Sequence, residues 1–305
     1  MSSFVLIFTC FALGILFQRF KIFPERSFVV LNRFVIYISL PALTIVLIHR
    51  LDLNGHWVVP VSMAWIQYGI AAILIANLGR LRGWNRNTIG ALVLTSGLGN
   101  TSFVGFPLLE ALYGPEAIGT GVLVDQPGTF FVASTLGVAT AAYFSGTSSQ
   151  PSVLLKKVFS FPPLLALIAA FCLRPFPLPL SAENMLDRLG ATLIPLALVS
   201  VGMQIRLDRE RLRQKWQKLS LGLFFKLALM PAFFLVLYFI LLGDRSAVSR
   251  ITIIESAMAP MITAGVLAEE YGLDAELSSL MIGMGIPLSL ITVPLWDFLI
   301  GRILG

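Results

Sequence analysis

The run GLGNTSFVGFP, from Gly97 to Pro107, sets three glycines and the hydrogen-bonding side chains of Asn100, Thr101 and Ser102 inside an apolar stretch of membrane-spanning length. An uninterrupted lipid-facing helix would not choose these residues. Backbone released from helical pairing in hydrocarbon costs several kcal/mol per unsatisfied group, so it survives only under protein or beside a wet cavity. A half-helix that restarts there presents free N–H groups and a partial positive charge, which suits an anion. Gly105 and Pro107 lie just beyond, and interrupted helices at mid-membrane point to a secondary-transporter substrate site. A second interruption, ESAMAPMITAGV, adds Ala259, Pro260 and Met261 to the expected substrate site.

Two carboxylates lie deep in apolar stretches. Asp125 and Glu255 each sit about ten residues from a span end, roughly 14 Å down in a core about 30 Å thick. Acids at that depth mark an ion or substrate path by default. Asp125 is followed by Gln126, Pro127 and Gly128, which adds an amide and freed carbonyls. Carboxylate, amide and carbonyl oxygens suit a hard cation, while a desolvated carboxylate equally takes a proton. Glu255, Asp125, Gln126 and Gln67 form the expected ion-coupling set; for Gln67 a plain interhelical hydrogen bond is the competing reading. Lys226, the lysine well inside a span, is expected to snorkel to the interface, with pairing to an acid or to a substrate carboxylate as the alternative.

The elements that must position these residues are membrane helices. Of 305 residues, 57% are hydrophobic and 12% charged, against about 25% charged in soluble domains. Ten apolar stretches are expected, at 3–20, 28–48, 57–79, 88–112, 116–144, 157–173, 185–205, 218–242, 247–268 and 275–300. Fourteen Lys and Arg fall in the loops after odd-numbered spans and six on the other side. The positive-inside rule then puts both termini outside a cell membrane and makes the basic stretch 206–218 a topology signal. Cys10 and Cys172 sit in apolar spans, read as buried thiols that behave as small apolar residues, and suggest no disulfide. No Gly-x-Ser-x-Gly stretch or nucleotide loop is present, so neither a hydrolase nor direct ATP drive is expected.

Five spans per half is odd, so a duplicated half would insert upside down. Pro41 and Pro195 sit in similar text, SLPALTIVL and LIPLALVSV, and Pro107 and Pro260 follow them by 66 and 65 residues. The expected domains are therefore 1–147 and 148–305, divided in the polar run GTSSQPS.

The chain resembles the auxin efflux carrier family. The pattern N-T-x-x-x-G-x-P-L is met by Asn100, Thr101, Gly105, Pro107 and Leu108, and an Ala-x-Glu-Tyr ending by Ala268, Glu270 and Tyr271. The resemblance implies an all-α membrane fold of two inverted five-helix repeats: scaffold spans 1, 2, 6 and 7, a moving core of spans 3–5 and 8–10, and crossed broken spans 4 and 9. It implies alternating-access transport of small organic anions, auxin-like or malonate- and malate-like. A more distant resemblance to bile acid–sodium symporters places a sodium ligand on Glu255. Sodium coupling is the leading expectation, with proton-coupled or uncoupled transport, or a non-transporting sensor or channel, as alternatives. No cofactor beyond Na+, no transition metal and no nucleic-acid partner is expected. The partners are a small carboxylate, membrane lipid and, through the scaffold helices, a second copy.

Overall fold

In hydrocarbon every backbone polar group must be paired internally, and a chain this apolar meets that demand with helices. The computed structural model describes residues 2–50, 57–146, 162–205 and 209–304, and these are helical throughout, apart from turns and two short breaks. In order they form α1 (Ser2–Arg19), α2 (Ser27–Arg50), α3 (Val58–Leu81), α4 (Arg86–Gly97) and α5 (Phe106–Tyr113), the last entered through a wide π turn at Thr101–Gly105. Then come α6 (Ala117–Ser145), α7 (Pro162–Leu173), α8 (Leu180–Gln204), α9 (Glu210–Leu241), α10 (Ala247–Ser256), α11 (Ile262–Glu270) and α12 (Ala275–Leu304). Among the described residues α2, α3, α6, α8, α9 and α12 are long and apolar enough to cross a membrane. The shorter apolar helices are α1 and α7, and two interrupted elements, α4 with α5 and α10 with α11, complete the bundle.

Packing divides the helices into two groups. α1 lies along α8, and both α7 and α8 pack on α2. The α1–α8 contact is backbone on backbone: a Cβ on Gly14 would stand 2.9 Å from the Cα of Gly202, so both positions must lack a side chain. Such small-residue seams let membrane helices approach closely where no hydrophobic effect drives them together. α3, α6, α9, α11 and α12 pack around α4, which is buried from Thr88 to Gly97.

Polar staples tie the ends of this second group. At the end bearing Arg82 and Lys218, Lys215 of α9 meets Asp274 at 2.5 Å, and Thr88 of α4 donates to the same carboxylate at 2.9 Å. At the opposite end Arg250 of α10 meets Asp297 of α12 at 2.6 Å, and Tyr113 of α5 donates to that carboxylate as well. Desolvated pairs with several donors hold better than exposed ones.

Three sequence expectations change. Arg211, Arg213, Lys215 and Lys218 belong to the first turns of α9 rather than to a loop, because Lys215 and Arg211 pair there with Asp274 and Glu276. Cys172 is exposed on α7, whereas Cys10 is buried. Pro107 and Pro260 are not equivalent: Pro260 lies within the second break, while Pro107 lies in α5, seven residues past the Asn100 turn. The 66- and 65-residue spacings therefore do not superpose the two interruptions, and Gly99 is what faces Pro260. The expected boundary at 147/148, Lys156 and Lys157 of the loop after the fifth span, and Arg206 lie outside the described residues.

Candidate functional site

The site begins with local capping. Asn85 starts α4 by accepting from the Thr88 N–H at 2.7 Å. The helix ends at Gly97, where Leu98 turns to extended backbone. Asn100 then restarts helical structure, its Oδ1 accepting from the Phe103 N–H at 3.2 Å. On the other element α10 stops at Ser256, and Met261, also extended, leads into α11.

The two breaks satisfy each other. The Asn100 N–H donates to the Ala259 carbonyl at 2.7 Å and the Met261 N–H to the Leu98 carbonyl at 3.0 Å, forming an antiparallel bridge between Gly99 and Pro260. This is why freed backbone is tolerated at such depth. Proline has no N–H to offer, and at Pro260 none is needed because the bridge uses its two neighbours.

Beyond the bridge the π turn that leads into α5 and the start of α11 open on one cavity of about 200 Å³. Thr101, Ser102 and Phe103 enter from one side, and Met261, Ile262 and Thr263 from the other. Asn32, Ile36 and Leu40 of α2 form the facing wall, with Asp125 and Phe130 of α6. Asn100 is buried, and its Nδ2 has no hydrogen-bond partner. Asp125 accepts from the Thr101 hydroxyl at 2.6 Å. An unpaired buried amide costs about 1–3 kcal/mol, and Asn100 keeps that unmet donor beside the cavity.

Of the expected substrate residues, Asn100, Thr101, Ser102 and Met261 line this cavity, as does Asp125 from the ion set. Ala259 and Pro260 are buried in the bridge, and Pro107 is packed in α5. Gly105 sits behind the wall, against Glu255: a Cβ there would stand 2.7 and 2.8 Å from its two carboxylate oxygens. Glu255 itself is fully buried, and neither oxygen has a hydrogen-bond partner. Gln67 donates to the Gly97 carbonyl at 3.1 Å, an interhelical bond that holds the end of α4. Gln126 donates to Thr44 of α2.

Lys226 does not snorkel. It is 0% exposed, and its Nζ donates to the Ser256 carbonyl at 2.8 Å. It lies in the π turn Phe225–Leu229, and its Nζ reaches the first break, 3.0 Å from where a Cβ on Gly99 would stand. Asn32, Ile36, Phe103, Phe130 and Thr263 were not singled out in the sequence. Asn32 alone carried a signal, as an amide within an apolar stretch; the others look like ordinary helix positions.

A bundle of apolar helices with two paired breaks over an internal cavity defines a multi-pass membrane transport protein. The chain belongs to the membrane transport protein family, whose model matches residues 1–146 and 147–297. It is 27% identical over 288 residues to an uncharacterised transporter of Methanothermobacter thermautotrophicus, covering 93% of each chain. A second uncharacterised transporter, of Methanocaldococcus jannaschii, is 25% identical over 300 residues, covering 94% of each.

Proposed function

We propose that the protein is a secondary transporter of small organic anions, and that it favours monocarboxylates with an apolar body over dianions. The observation that carries this is the cavity: two half-helix N-termini and the unpartnered Asn100 amide converge on walls that are otherwise largely apolar. Free N–H groups and helix dipoles attract one carboxylate. Ile36, Leu40, Phe103, Phe130 and Met261 offer an apolar or aromatic body its contacts. The charged side chain among the lining residues is Asp125, an acid, which would repel the second carboxylate of a malonate or malate. An indole-type acid suits this site better.

The reading of ten spans as two inverted halves, 1–147 and 148–305, draws support from the antiparallel pairing of the breaks and from the two stretches matched by the family model. In that arrangement α1, α2, α7 and α8 are the scaffold, offering a surface for a homodimer, and the group around α4 is the moving core. The cavity lies on the seam between α2 and the breaks, where relative motion would expose it to each side in turn. The protein would sit in the cell membrane with both termini outside.

Thermal stabilisation of the purified protein across an acid panel tests the substrate reading, since a ligand that binds the native state raises its stability by mass action. Indole-3-acetate should raise the melting temperature more than malonate or malate at equal concentration. Stabilisation by the dianions alone would overturn the preference.

A further inference from the structure

We propose that Asp125 is the proton site of the transport cycle: it takes one proton from water as the anion enters the cavity and gives it up when the anion leaves on the other side, so that a monocarboxylate and a proton cross together. The inference rests on the anion reading above and names the ion that accompanies the substrate.

The cavity itself poses the problem. Its lining carries one charged side chain, Asp125, and that charge has the sign of the ligand. No lysine, arginine or histidine among the lining residues offsets it. Nor can the acid swing away. Asp125 is buried, and its carboxylate accepts from the Thr101 hydroxyl at 2.6 Å. Thr101 opens the π turn whose free N–H groups would attract the anion, so the acid is tied to the feature that would bind the substrate. A space of about 200 Å³ leaves little water to screen the two carboxylates from each other.

Two carboxylates held in one water-poor site do not both stay ionised; they keep one proton between them. The proton comes from water and forms an O–H bond on Asp125, which then donates to a ligand oxygen where the bare carboxylate repelled it. On release the O–H bond breaks and the proton returns to water on the far side. No electron moves, and the transported pair is neutral: one negative carboxylate and one proton.

The titratable groups on the elements packed around Asp125 all lie outside the cavity lining. α10 brings Glu255, on which the charges of Asp125 and of Lys226 from α9 both act, and which stands behind the wall against Gly105. Its Arg250 pairs with Asp297, and Glu110 and Tyr113 of α5 lie toward that same end. On α3, the Tyr68 hydroxyl donates to the Leu136 carbonyl. On α2, Arg33 and Tyr37 are exposed, and His49 and Arg50 close its last turn. α7 carries the exposed Cys172, and the π turn brings only hydroxyls. Asp125 is therefore the group in the cavity that can hold a proton next to the ligand.

The experiment is calorimetry of indole-3-acetate binding to purified wild type and Asp125→Asn between about pH 6 and 8, where the free ligand is ionised. Each titration is run in two buffers of different ionisation heat, which reads the protons taken up. Wild type should take up about one proton per ligand at the alkaline end, and its Kd should rise about tenfold per pH unit there. Asp125→Asn keeps an oxygen for the Thr101 hydroxyl and should bind with no proton uptake and no pH dependence over the same range. Binding by wild type without proton uptake at any pH would overturn the proposal and leave the anion reading standing. Uptake that persists in Asp125→Asn would place the proton elsewhere and overturn it too. No binding of any monocarboxylate at any pH would sink the anion reading, and this proposal with it. If Asp125→Asn cannot be purified, wild-type proteoliposomes decide: a pH gradient should drive labelled acid inward and an imposed membrane potential should not, while the reverse would refute the neutral pair.

Discussion

Asn100 carries two roles that one pair of substitutions separates. Its Oδ1 caps the turn that leads into α5, at 3.2 Å from the Phe103 N–H, while its unpartnered Nδ2 is the donor that the proposed site would offer a ligand. Asn100→Ala removes both. Loss of an N-cap costs about 0.5–2 kcal/mol, and loss of a hydrogen bond to a charged ligand about 1.5–3 kcal/mol, or roughly 10–150-fold in affinity. For a chain of this length the cap alone should lower the melting temperature by on the order of 2 °C. Asn100→Ser restores the cap, because a serine hydroxyl accepts from the same N–H, but it lacks the amide donor and its reach. Unfolding without ligand should thus place Ser near wild type and Ala below it. Binding of indole-3-acetate, followed by ligand-dependent stabilisation or calorimetry, should be weak in both. Affinity that returns together with the cap in Asn100→Ser would show that Asn100 only shapes the turn, and would refute the reasoning.

Gly105→Ala should destabilise the protein by about 1–3 kcal/mol through overpacking, because the new methyl would stand 2.7 Å from the Glu255 carboxylate. Combining it with Glu255→Ala should remove most of that added cost, which a double-mutant cycle of melting temperatures measures. At the α11–α12 turn, burial pushes the Asp274 carboxyl up, but hydrogen bonds from Lys215, the Leu277 N–H and Thr88 outweigh it and hold the group below its ordinary 3.8. A group depressed in the folded state contributes stability above its unfolded value and loses it as pH falls through the folded one. The melting temperature should therefore fall on acidification below about pH 4, and less steeply in Asp274→Asn than in wild type. In a background lacking Cys10 and Cys172, a cysteine at Arg245 should react with an impermeant thiol reagent in intact cells and one at Arg82 should not. The reverse pattern would invert the proposed topology.

The first interruption was legible because glycine and asparagine are costly in a lipid-facing helix, and Gly97, Gly99 and Asn100 fall together. Their partners were harder to read. Pro107 looked like part of the break but tolerates the start of a helix, where a missing N–H costs nothing. Which residues of the two breaks face each other depends on a hydrogen-bond register, Asn100 with Ala259 and Met261 with Leu98, that proline spacing does not encode. The facing wall was illegible for a different reason: Ile36 and Leu40 are apolar residues on an apolar helix, and only tertiary packing distinguishes a lipid contact from a cavity lining. Lys226 shows the same limit with the opposite chemistry. Its depth could be counted along the chain, but its direction shows only in the Ser256 carbonyl to which it donates.

The central claim is movement of a small organic anion through the Asn100 cavity, and counterflow tests it most directly. Proteoliposomes loaded with an unlabelled monocarboxylate that stabilises the protein, and diluted into trace labelled acid, should accumulate label transiently above equilibrium. Liposomes bearing Asn100→Ala should accumulate far less at the same trace concentration. Label that never exceeds equilibrium for any stabilising acid, in vesicles carrying folded wild-type protein, would contradict the account.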